Sequence, residues 1–250
     1  MSTDSQDPVS YTIDSKELFR LLTGKGVSTF HHANTAKTAL TFISEGALLS
    51  RAYVENNGLF QTEQYTDEKD KKLDIWDAVF VDGLDLHEKF SRRNKYGPVL
   101  FHMDLKMLLS EDFPFVRVTK NNPANWSLIE TNFYSSIEDI DKDYLTGNDY
   151  RDGGIMFLFD KPEKKLALNT YCTKIIVDDP RITLVCKDQS QRPISELVKA
   201  TMENTLKENG LHNIPVQIRH PDLSHCSCYL HYKMMYNNNK EAFDKLFSKK

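Results

Sequence analysis

The stretch FHHANTAKTALTFISEGALLSR, residues 30–51, decides the fold prediction because it joins a strand to a helix with clear end signals. Residues 27–30 are typical of a short strand, and Thr35 is a suitable N-cap for the helix that follows. Small or apolar side chains then recur at helical spacing, at Ala36, Ala39, Leu40 and Ile43. Gly46 stands where a left-handed residue would end the helix. The stretch therefore predicts a strand–helix unit with defined ends.

Two adjacent imidazoles at the end of this strand form the first candidate binding group. A ring N–H of His32 can donate to a ribose hydroxyl or an amide, and Asn34 adds a second hydrogen bond. Ser50 and Arg51 follow the helix, and the planar guanidinium suits a pyrophosphate. His32 is therefore predicted to hold a dinucleotide. The ordinary alternative is that one of His31 and His32 is satisfied in the core while the other faces solvent.

Composition restricts the class of protein. The chain has 250 residues, 40% of them hydrophobic and 11% aromatic, which suits a packed core. Its net charge of −4, from 32 basic and 36 acidic residues, argues against a surface coated in positive charge for duplex nucleic acid. The apolar runs are far shorter than the ~20 residues of a membrane span. With a polar, acidic N-terminus and four cysteines, the expectation is a cytoplasmic protein with no membrane partner.

The order of predicted elements indicates an α+β fold, because strands and helices are mixed without strict alternation. Predicted strands lie at residues 27–30, 75–82, the start of 98–109, 114–119, 155–160, 173–179, 181–186 and 214–220. The pair around Pro180 is predicted to be a hairpin, and the polar residues 52–74 a long loop. We expect a flexible arm at 1–10 and a single domain over 11–250, in which 190–250 is a helix–strand–helix extension.

Two further groups of residues have the chemistry of metal ligands. The stretch from Asp74 to Asp104 holds Asp74, Asp77, Asp82, Asp85, His87, His102 and Asp104. It favours a metal-dependent nuclease or hydrolase as an alternative function. The run near the C-terminus holds His220, His225, Cys226, Cys228 and His231. Neither group has a recognised ligand spacing, so no metal site is assigned; solvent-facing aspartates and buried thiols are the ordinary alternatives.

The loop GNDYRDGG, residues 147–154, leads into a predicted apolar strand. Its two glycines allow the backbone to approach a ligand closely. Asp152, at the start of that strand, can act as a base or stabilise a cation. A plain hairpin loop is the alternative.

Together, the 30–51 stretch and the 147–160 segment resemble the DarT-like ADP-ribosyltransferases, toxins that move ADP-ribose from NAD onto nucleic-acid bases. In that family a strand ends in an aromatic–His–apolar–Thr segment, and the following helix closes with a glycine and a short apolar run. His32 matches the family histidine, with His31 in the aromatic position and Asn34 in that of the threonine. Arg51 lies where a polar or basic residue contacts the cofactor. The resemblance implies an ADP-ribosyltransferase-like split antiparallel β-sheet core with flanking helices.

The chain departs from the family at the catalytic carboxylate. The family has a glutamate at the start of the strand after its substrate-recognition loop, whereas residues 152–157 read DGGIMF. The resemblance then makes Asp152 the expected substitute, with Glu130 or Glu138 as possible donors from elsewhere. The alternative is a non-catalytic relative that binds a nucleotide or a protein partner.

The resemblance also implies a mechanism and partners. NAD would be the substrate, oriented by His32 and Arg51, and its cleavage would build a cation that Asp152 stabilises. Phe80 is the aromatic side chain expected against the nicotinamide. Contacts to nucleic-acid phosphates are expected from Arg92, Arg93, Lys95 and Arg151. For these basic residues a solvated helix end is the alternative. A toxin of this kind, in a toxin–antitoxin or anti-phage defence system, would have a neutralising antitoxin protein.

Overall fold

A computed structural model describes residues 11–85, 96–127, 132–144, 154–160, 165–221 and 227–248. Several predictions fall outside these ranges, so the structure does not bear on them. They are the arm at 1–10 and the residues His87, Arg92, Arg93, Lys95, Glu130, Arg151, Asp152, His225 and Cys226.

A large mixed sheet forms the centre of the molecule. The strands are β1 (Thr12–Asp14), β2 (Thr29–Asn34), β3 (Ala47–Leu48), β4 (Ala78–Asp82), β5 (Val99–Asp104), β6 (Phe115–Val118), β7 (Met156–Asp160), β8 (Leu166–Ala167), β9 (Cys172–Asp178), β10 (Thr183–Val185), β11 (Gln191–Pro193) and β12 (Val216–Arg219). Within the described ranges, eight of them make one sheet in the order β1-β6-β7-β4-β2-β5-β9-β12. Two small sheets, β3–β8 and β10–β11, lie outside it.

Helices flank this sheet. They are α1 (Ser15–Gly24), α2 (Ala36–Glu45), α3 (Arg51–Asn56), α4 (Asp67–Lys72), α5 (Ile137–Asp143), α6 (Leu168–Tyr171), α7 (Ile194–Glu208), α8 (Cys228–Asn238) and α9 (Lys240–Phe247). The predicted ends of α2 are confirmed, since Thr35 accepts from the Thr38 amide and Gly46 adopts a φ of 68°. The α+β class is confirmed as well. None of the helices in the described part of the chain has the length and apolar character needed to cross a bilayer.

The large sheet is split into two halves that meet at one residue pair. Strand β2 pairs with β5 along its whole length, but with β4 only through His31 and Asp82. Beyond His31, therefore, β2 diverges from β4 and a gap opens between the halves. The strand pairs of this sheet are antiparallel except β9 with β12. The predicted split antiparallel sheet is thus confirmed.

Aromatic packing holds the two halves together on one face of the sheet. Phe30 of β2 and Phe157 of β7 are fully buried, and their ring centroids lie 4.8 Å apart across the join. Phe159 extends this contact, with its ring 6.2 Å from that of Phe30. Burial of each such side chain stabilises the fold by roughly 1.5–3 kcal/mol. The join therefore rests on packed side chains where backbone pairing is sparse.

Two local predictions were wrong. Strand β9 does not form a hairpin around Pro180, because it pairs with β5 and β12 while β10 pairs with β11. The run from Ile175 to Val177 is buried, which suits a strand with neighbours on both edges. Residues 52–74 are also more than a loop, since they contain most of α3 and all of α4. In α4 the acidic residues occupy the first turn and the lysines the last, as the helix dipole favours.

The segment 190–250 contributes to the main sheet. Helix α7 packs against α2, and β12 extends the sheet beside β9. Tyr232 of α8 is fully buried, and its hydroxyl donates to Asp178 of β9 at 3.0 Å. Elements of this segment thus pack on the sheet, and the description of 190–250 as an extension stays a prediction.

Candidate active site

A cleft opens where β2 and β4 diverge, and we call it the split-sheet cleft. It holds about 810 Å³ of space, its open mouth included. Its polar and aromatic walls include His31, His32, Asn34, Arg51, Asp70, Phe80, Asp82, Tyr96 and Asn122. Four of the residues predicted to bind cofactor, His32, Asn34, Arg51 and Phe80, are therefore brought together.

His32 bridges the gap between the half-sheets in one fixed tautomer. Its Nδ1 lies 2.6 Å from the carbonyl oxygen of Phe80 on β4. Because a carbonyl only accepts, Nδ1 carries the proton. Burial lowers the pKa of His32 to about 4, so the ring is neutral at pH 7 and Nε2 bears a lone pair. Asn34 Nδ2 donates to that nitrogen at 2.7 Å.

This arrangement changes the contact expected of His32. The ring N–H predicted to reach a ribose hydroxyl donates to Phe80 instead, and the imidazole takes the place of a missing ladder hydrogen bond. Its ring also packs 5.8 Å from that of Phe42. The bond to His32 uses one of the two N–H donors of Asn34, so the carboxamide oxygen and the second N–H are the polar groups that Asn34 can offer a ligand.

Ser50 positions Arg51 and is not among the described residues that line the cleft. Its side chain is buried, accepts from the Tyr53 amide at 3.1 Å and donates to Asp77 at 3.1 Å. Both hydrogen-bonding functions of the hydroxyl thus serve the start of α3. The predicted cofactor contact of Ser50 becomes a capping role, which puts Arg51 in the first turn of the helix.

Arg51 lies along the cleft wall with part of its guanidinium engaged. Nη2 donates to the Thr62 carbonyl at 3.1 Å and to Asp67 at 2.7 Å, and the guanidinium carbon lies 5.2 Å from the centre of the Trp76 ring. Nε is buried and has no hydrogen-bond partner among the described residues. Arg51 therefore keeps a buried donor beside a cleft that can hold an anionic ligand.

Three threonines fasten the segment before α4 to the start of α2. The hydroxyls of Thr35 and Thr62 lie 2.7 Å apart, and the Thr62 amide donates to Thr38 Oγ1 at 2.9 Å. This segment contributes Gln61 and Gln64 to the cleft. The cluster therefore fixes one wall of the cleft relative to α2.

A glycine brings the chain close to the end of β2 and leads Tyr96 into the cleft. Gly97 has a φ of 139°, and a Cβ there would lie 2.3 Å from the carbonyl oxygen of Asn34. No other residue type fits this approach without displacing the backbone. Tyr96 accepts from Asn122 Nδ2 at 3.1 Å, and burial raises the pKa of its hydroxyl to about 12.

Two carboxylates, Asp70 and Asp82, line the same cleft. Asp70 is 8% exposed and accepts from Thr66 at 3.0 Å, and burial raises the pKa of its carboxyl to about 6. Asp82 ends β4 opposite Met156, the first residue of β7. The sequence placed Asp82 among the possible metal ligands. It did not single out Asp70, because a helix made only of charged residues gives no indication that one of them is buried. Asp152, the predicted catalytic residue, lies outside the described ranges.

The described members of the acidic stretch from Asp74 to Asp104 do not all meet at one site. Asp77 binds Ser50, and Asp104 caps the 3-10 turn Leu105–Leu109. Within the described residues, Asp85 and His102 are the members of the stretch that join a group of three possible ligands. The described members of the stretch thus lie in different places, and two of them, Asp85 and His102, lie together beside His31.

No family model and no curated protein matches this sequence. Solved structures do show similarity. The Thermosipho africanus DarTG structure, in complex with ADP-ribose, is 16% identical with a TM-score of 0.46, over 78% of this chain and 50% of that chain. This chain thus spans half the length of that protein. Thermus sp. 2.9 DarT in complex with ADP-ribosylated ssDNA is 11% identical with a TM-score of 0.49, over 80% of this chain and 97% of that chain.

A second Thermus sp. 2.9 DarT structure, in complex with NAD+, is 11% identical with a TM-score of 0.44, over 77% of this chain and 96% of that chain. These three solved structures are of DarT and DarTG proteins.

Proposed function

We propose that this chain is an NAD-dependent ADP-ribosyltransferase that modifies a nucleic-acid base. The observation that carries the proposal is the split-sheet cleft, which gathers a guanidinium, a carboxamide and two carboxylates around the join held by His32. This set of groups has what the reaction requires: a phosphate partner, a sugar or amide partner, and a negative charge for a cationic intermediate.

The reaction exchanges one glycosidic bond for another. The bond from ribose C1′ to the nicotinamide nitrogen breaks, and nicotinamide leaves as a neutral molecule. The oxocarbenium-like sugar is attacked by a nucleophilic atom of the base, which loses its proton to a carboxylate. Asp82 and Asp70 line the cleft as candidates for stabilising the cation, and Asp152 remains the candidate from sequence. In a site that excludes water, such a charge contributes far more than it does in solution.

Arg51 is proposed to bind the pyrophosphate. Its buried Nε donor has no partner among the described residues, and Nη2 is held by Asp67. A phosphate oxygen can take the Nε donor at once and replace Asp67 at Nη2. A planar fork that meets two oxygens also fixes the position of NAD, and with it the position of C1′.

His32 and Asn34 are proposed to form the nicotinamide–ribose end of the site. His32 orients Asn34, whose carboxamide oxygen can accept from the nicotinamide amide or a ribose hydroxyl. Phe80 and Tyr96 both line the cleft and offer aromatic faces to the nicotinamide ring. In this proposal His32 acts through position and shape while neutral.

The acceptor is proposed to be an exposed DNA or RNA base. Because the net charge is −4, phosphate contacts must be local, and Arg92, Arg93, Lys95 and Arg151 are the residues proposed for them. The resemblance to DarT-like toxins is what supports a toxin role. We therefore propose a toxin role, with a neutralising antitoxin protein as its partner.

The test incubates the purified chain with NAD and single-stranded DNA or RNA of mixed sequence. Intact mass spectrometry should show nucleic acid heavier by one ADP-ribosyl group, with one nicotinamide released for each. Arg51→Gln and Asp82→Asn should lower the yield by about 100-fold or more. NAD binding without nicotinamide release on any acceptor would instead indicate a non-catalytic relative and overturn the transferase proposal.

A further inference from the structure

Three possible metal ligands converge at the join of the half-sheets. His31 of β2 stands directly opposite His102 of β5, and their rings meet edge to face with centroids 4.6 Å apart. Asp85 follows the end of β4, and one of its oxygens lies 3.9 Å from His102 Nε2. One ligand atom from each residue lies within 4.8 Å of the other two. Strands from both half-sheets therefore present ligand atoms to one point.

Each of the two imidazoles carries a buried nitrogen that has no hydrogen-bond partner among the described residues. These are His31 Nδ1 and His102 Nε2, on side chains from residues only 8% and 7% exposed. Leaving a buried polar atom unsatisfied costs about 1–3 kcal/mol, so each such atom in a fold requires a reason. A bound cation would satisfy both nitrogens at once.

The tautomer assigned to His31 suits metal binding. His31 has a hydrogen bond with the backbone of Asp82, and we assign it to Nε2 because Nδ1 has no partner. Donation from Nε2–H to a carbonyl leaves Nδ1 with its lone pair, as in metal sites where a backbone group fixes the tautomer.

Asp85 is held in place by Arg219, and Lys174 is a second cation near both imidazoles. Arg219 donates to both oxygens of Asp85, at 3.1 and 2.5 Å, and its Nε lies 3.6 Å from Asp178. One guanidinium thus faces two carboxylates. Each carboxylate oxygen has more than one lone pair, so Asp85 can bind Arg219 and a metal together. Hydrogen-bonded carboxylates of this kind are the usual neighbours of metal ions.

We propose that His31, His102 and Asp85 form a binding site for a divalent transition-metal ion of the Zn²⁺ class. Two imidazole nitrogens and one carboxylate oxygen would leave the fourth tetrahedral position for water or a substrate group. Zinc–ligand distances of about 2.0–2.2 Å require the three ligand atoms to move together by roughly 1 Å. His31 also lines the split-sheet cleft, so the ion lies beside it and ties the end of β4 to β2 and β5. This site was not assigned from sequence, and it does not depend on the transferase proposal.

The first test titrates metal-free, tag-free protein with Zn²⁺ and, separately, with Co²⁺. We expect one equivalent to bind, with the visible absorption of four-coordinate Co²⁺, and a higher melting temperature. His31→Gln and His102→Gln should each weaken binding tenfold or more. The matched control His212→Gln changes an exposed histidine outside both groups of possible ligands and should bind as the wild type does. Undiminished binding in folded His31→Gln and His102→Gln would overturn the proposal.

A second measurement needs no variant and so remains decisive if the substitutions prevent folding. X-ray absorption spectroscopy of the wild type loaded with one equivalent of Zn²⁺ should give imidazole and oxygen scatterers only. A sulfur shell would assign the ion to the cysteine-containing run at 220–231 and overturn the proposal. So would the loss of the bound ion in Cys226→Ser, or the absence of any bound equivalent.

Discussion

His32 Nδ1 donates to the carbonyl oxygen of Phe80 at 2.6 Å, across the gap where β2 leaves β4. Asp82 is the residue of β4 that pairs with the backbone of β2, opposite His31. The side-chain bond from His32 continues the contact between the two strands where this backbone pairing stops. The same ring then holds Asn34 on the cleft wall. One imidazole therefore links the architecture of the split sheet to the shape of the candidate active site.

Removal of the hydrogen bond from His32 to Phe80 should destabilise the protein and weaken NAD binding. We expect His32→Ala to lower the free energy of unfolding by about 2–4 kcal/mol, because a buried carbonyl loses its donor and the ring leaves a cavity. His32→Asn places an amide where Nδ1–H stood and should recover about 1 kcal/mol, while the contact with Asn34 stays lost. Urea unfolding and NAD titration check both variants. Equal stability of His32→Ala and wild type would contradict the bridging role.

Arg51 and Asp67 should affect NAD binding in opposite directions. Arg51→Lys keeps the charge but loses the fork, and we expect the Kd for NAD to rise at least tenfold. Asp67→Asn weakens the competitor that holds Nη2, so the Kd should fall by about two- to fivefold, as expected from a partly exposed ion pair of ~0.5–1 kcal/mol. Isothermal titration measures both values. Weaker NAD binding in Asp67→Asn would mean that the ion pair presents Arg51 to the ligand and does not restrain it.

The cleft carboxylates should be separable by the pH dependence of nicotinamide release. The pKa of Asp70 is raised to about 6, so a step that requires its negative charge should slow as pH falls through 6. Asp70→Asn should abolish this decrease in rate near pH 6 and lower the rate itself by about 100-fold. Asp82→Asn should lower the rate and retain its decrease near pH 6. Asp74→Asn, at an exposed position, is the control and should leave the profile unchanged.

Three histidines should make the fold sensitive to acid. The pKa values of His31 and His32 are lowered to about 4 and that of His102 to about 3, so between pH 6.5 and 4 the unfolded chain binds more protons than the folded one. The free energy of unfolding therefore has its full value above pH 6.5. As the pH falls below 6.5, it decreases by up to about 1.4 kcal/mol per pH unit for each histidine. Asp70, whose pKa is raised, opposes this loss between pH 6 and 4.

The check is urea unfolding from pH 7.5 to 4.5 with a metal chelator present. His102→Gln should flatten the decline, since glutamine does not titrate. His212→Gln, at an exposed site, should retain the wild-type slope. A decline that is identical in His102→Gln would contradict the assignment of the acid sensitivity to the buried rings.

Gly97 should tolerate no side chain. In Gly97→Ala a Cβ would lie 2.3 Å from a backbone carbonyl at a φ of 139°, so we expect a loss of about 2–4 kcal/mol and a distorted cleft. Gly24→Ala is the matched control, because nothing lies within 4 Å of its Cβ position. Thermal unfolding compares the two. A small effect at Gly97 would show that the approach to Asn34 is looser than the structure has it.

Local signals in the sequence were sufficient to predict the ends of the helix that they flank. Thr35 and Gly46 predicted both ends of α2, since a cap and a left-handed glycine act within one turn of the helix. The pairing of the strands was harder to predict from the sequence. Strand β9 was expected to pair with its nearest neighbour in sequence, but its buried run required partners on both edges, and β5 and β12 lie far away along the chain.

The site was predictable where it follows the strand–helix unit and hidden where it depends on contacts between distant residues. His32, Asn34 and Arg51 flank α2, so their closeness follows from local structure. Asp70 lies in a charged hexapeptide helix, and only the packing of that helix against the cleft buries it. The pairing of His31 with His102 depends on the register of β2 against β5, which no local pattern fixes.

The most direct test of the central claim is a crystal structure of the chain with an NAD analogue whose glycosidic bond cannot be cleaved. We expect the pyrophosphate at Arg51 and the nicotinamide–ribose end between Asn34 and Phe80, within reach of Asp82. Binding of the analogue outside the split-sheet cleft, or no binding at saturating concentration, would contradict the account.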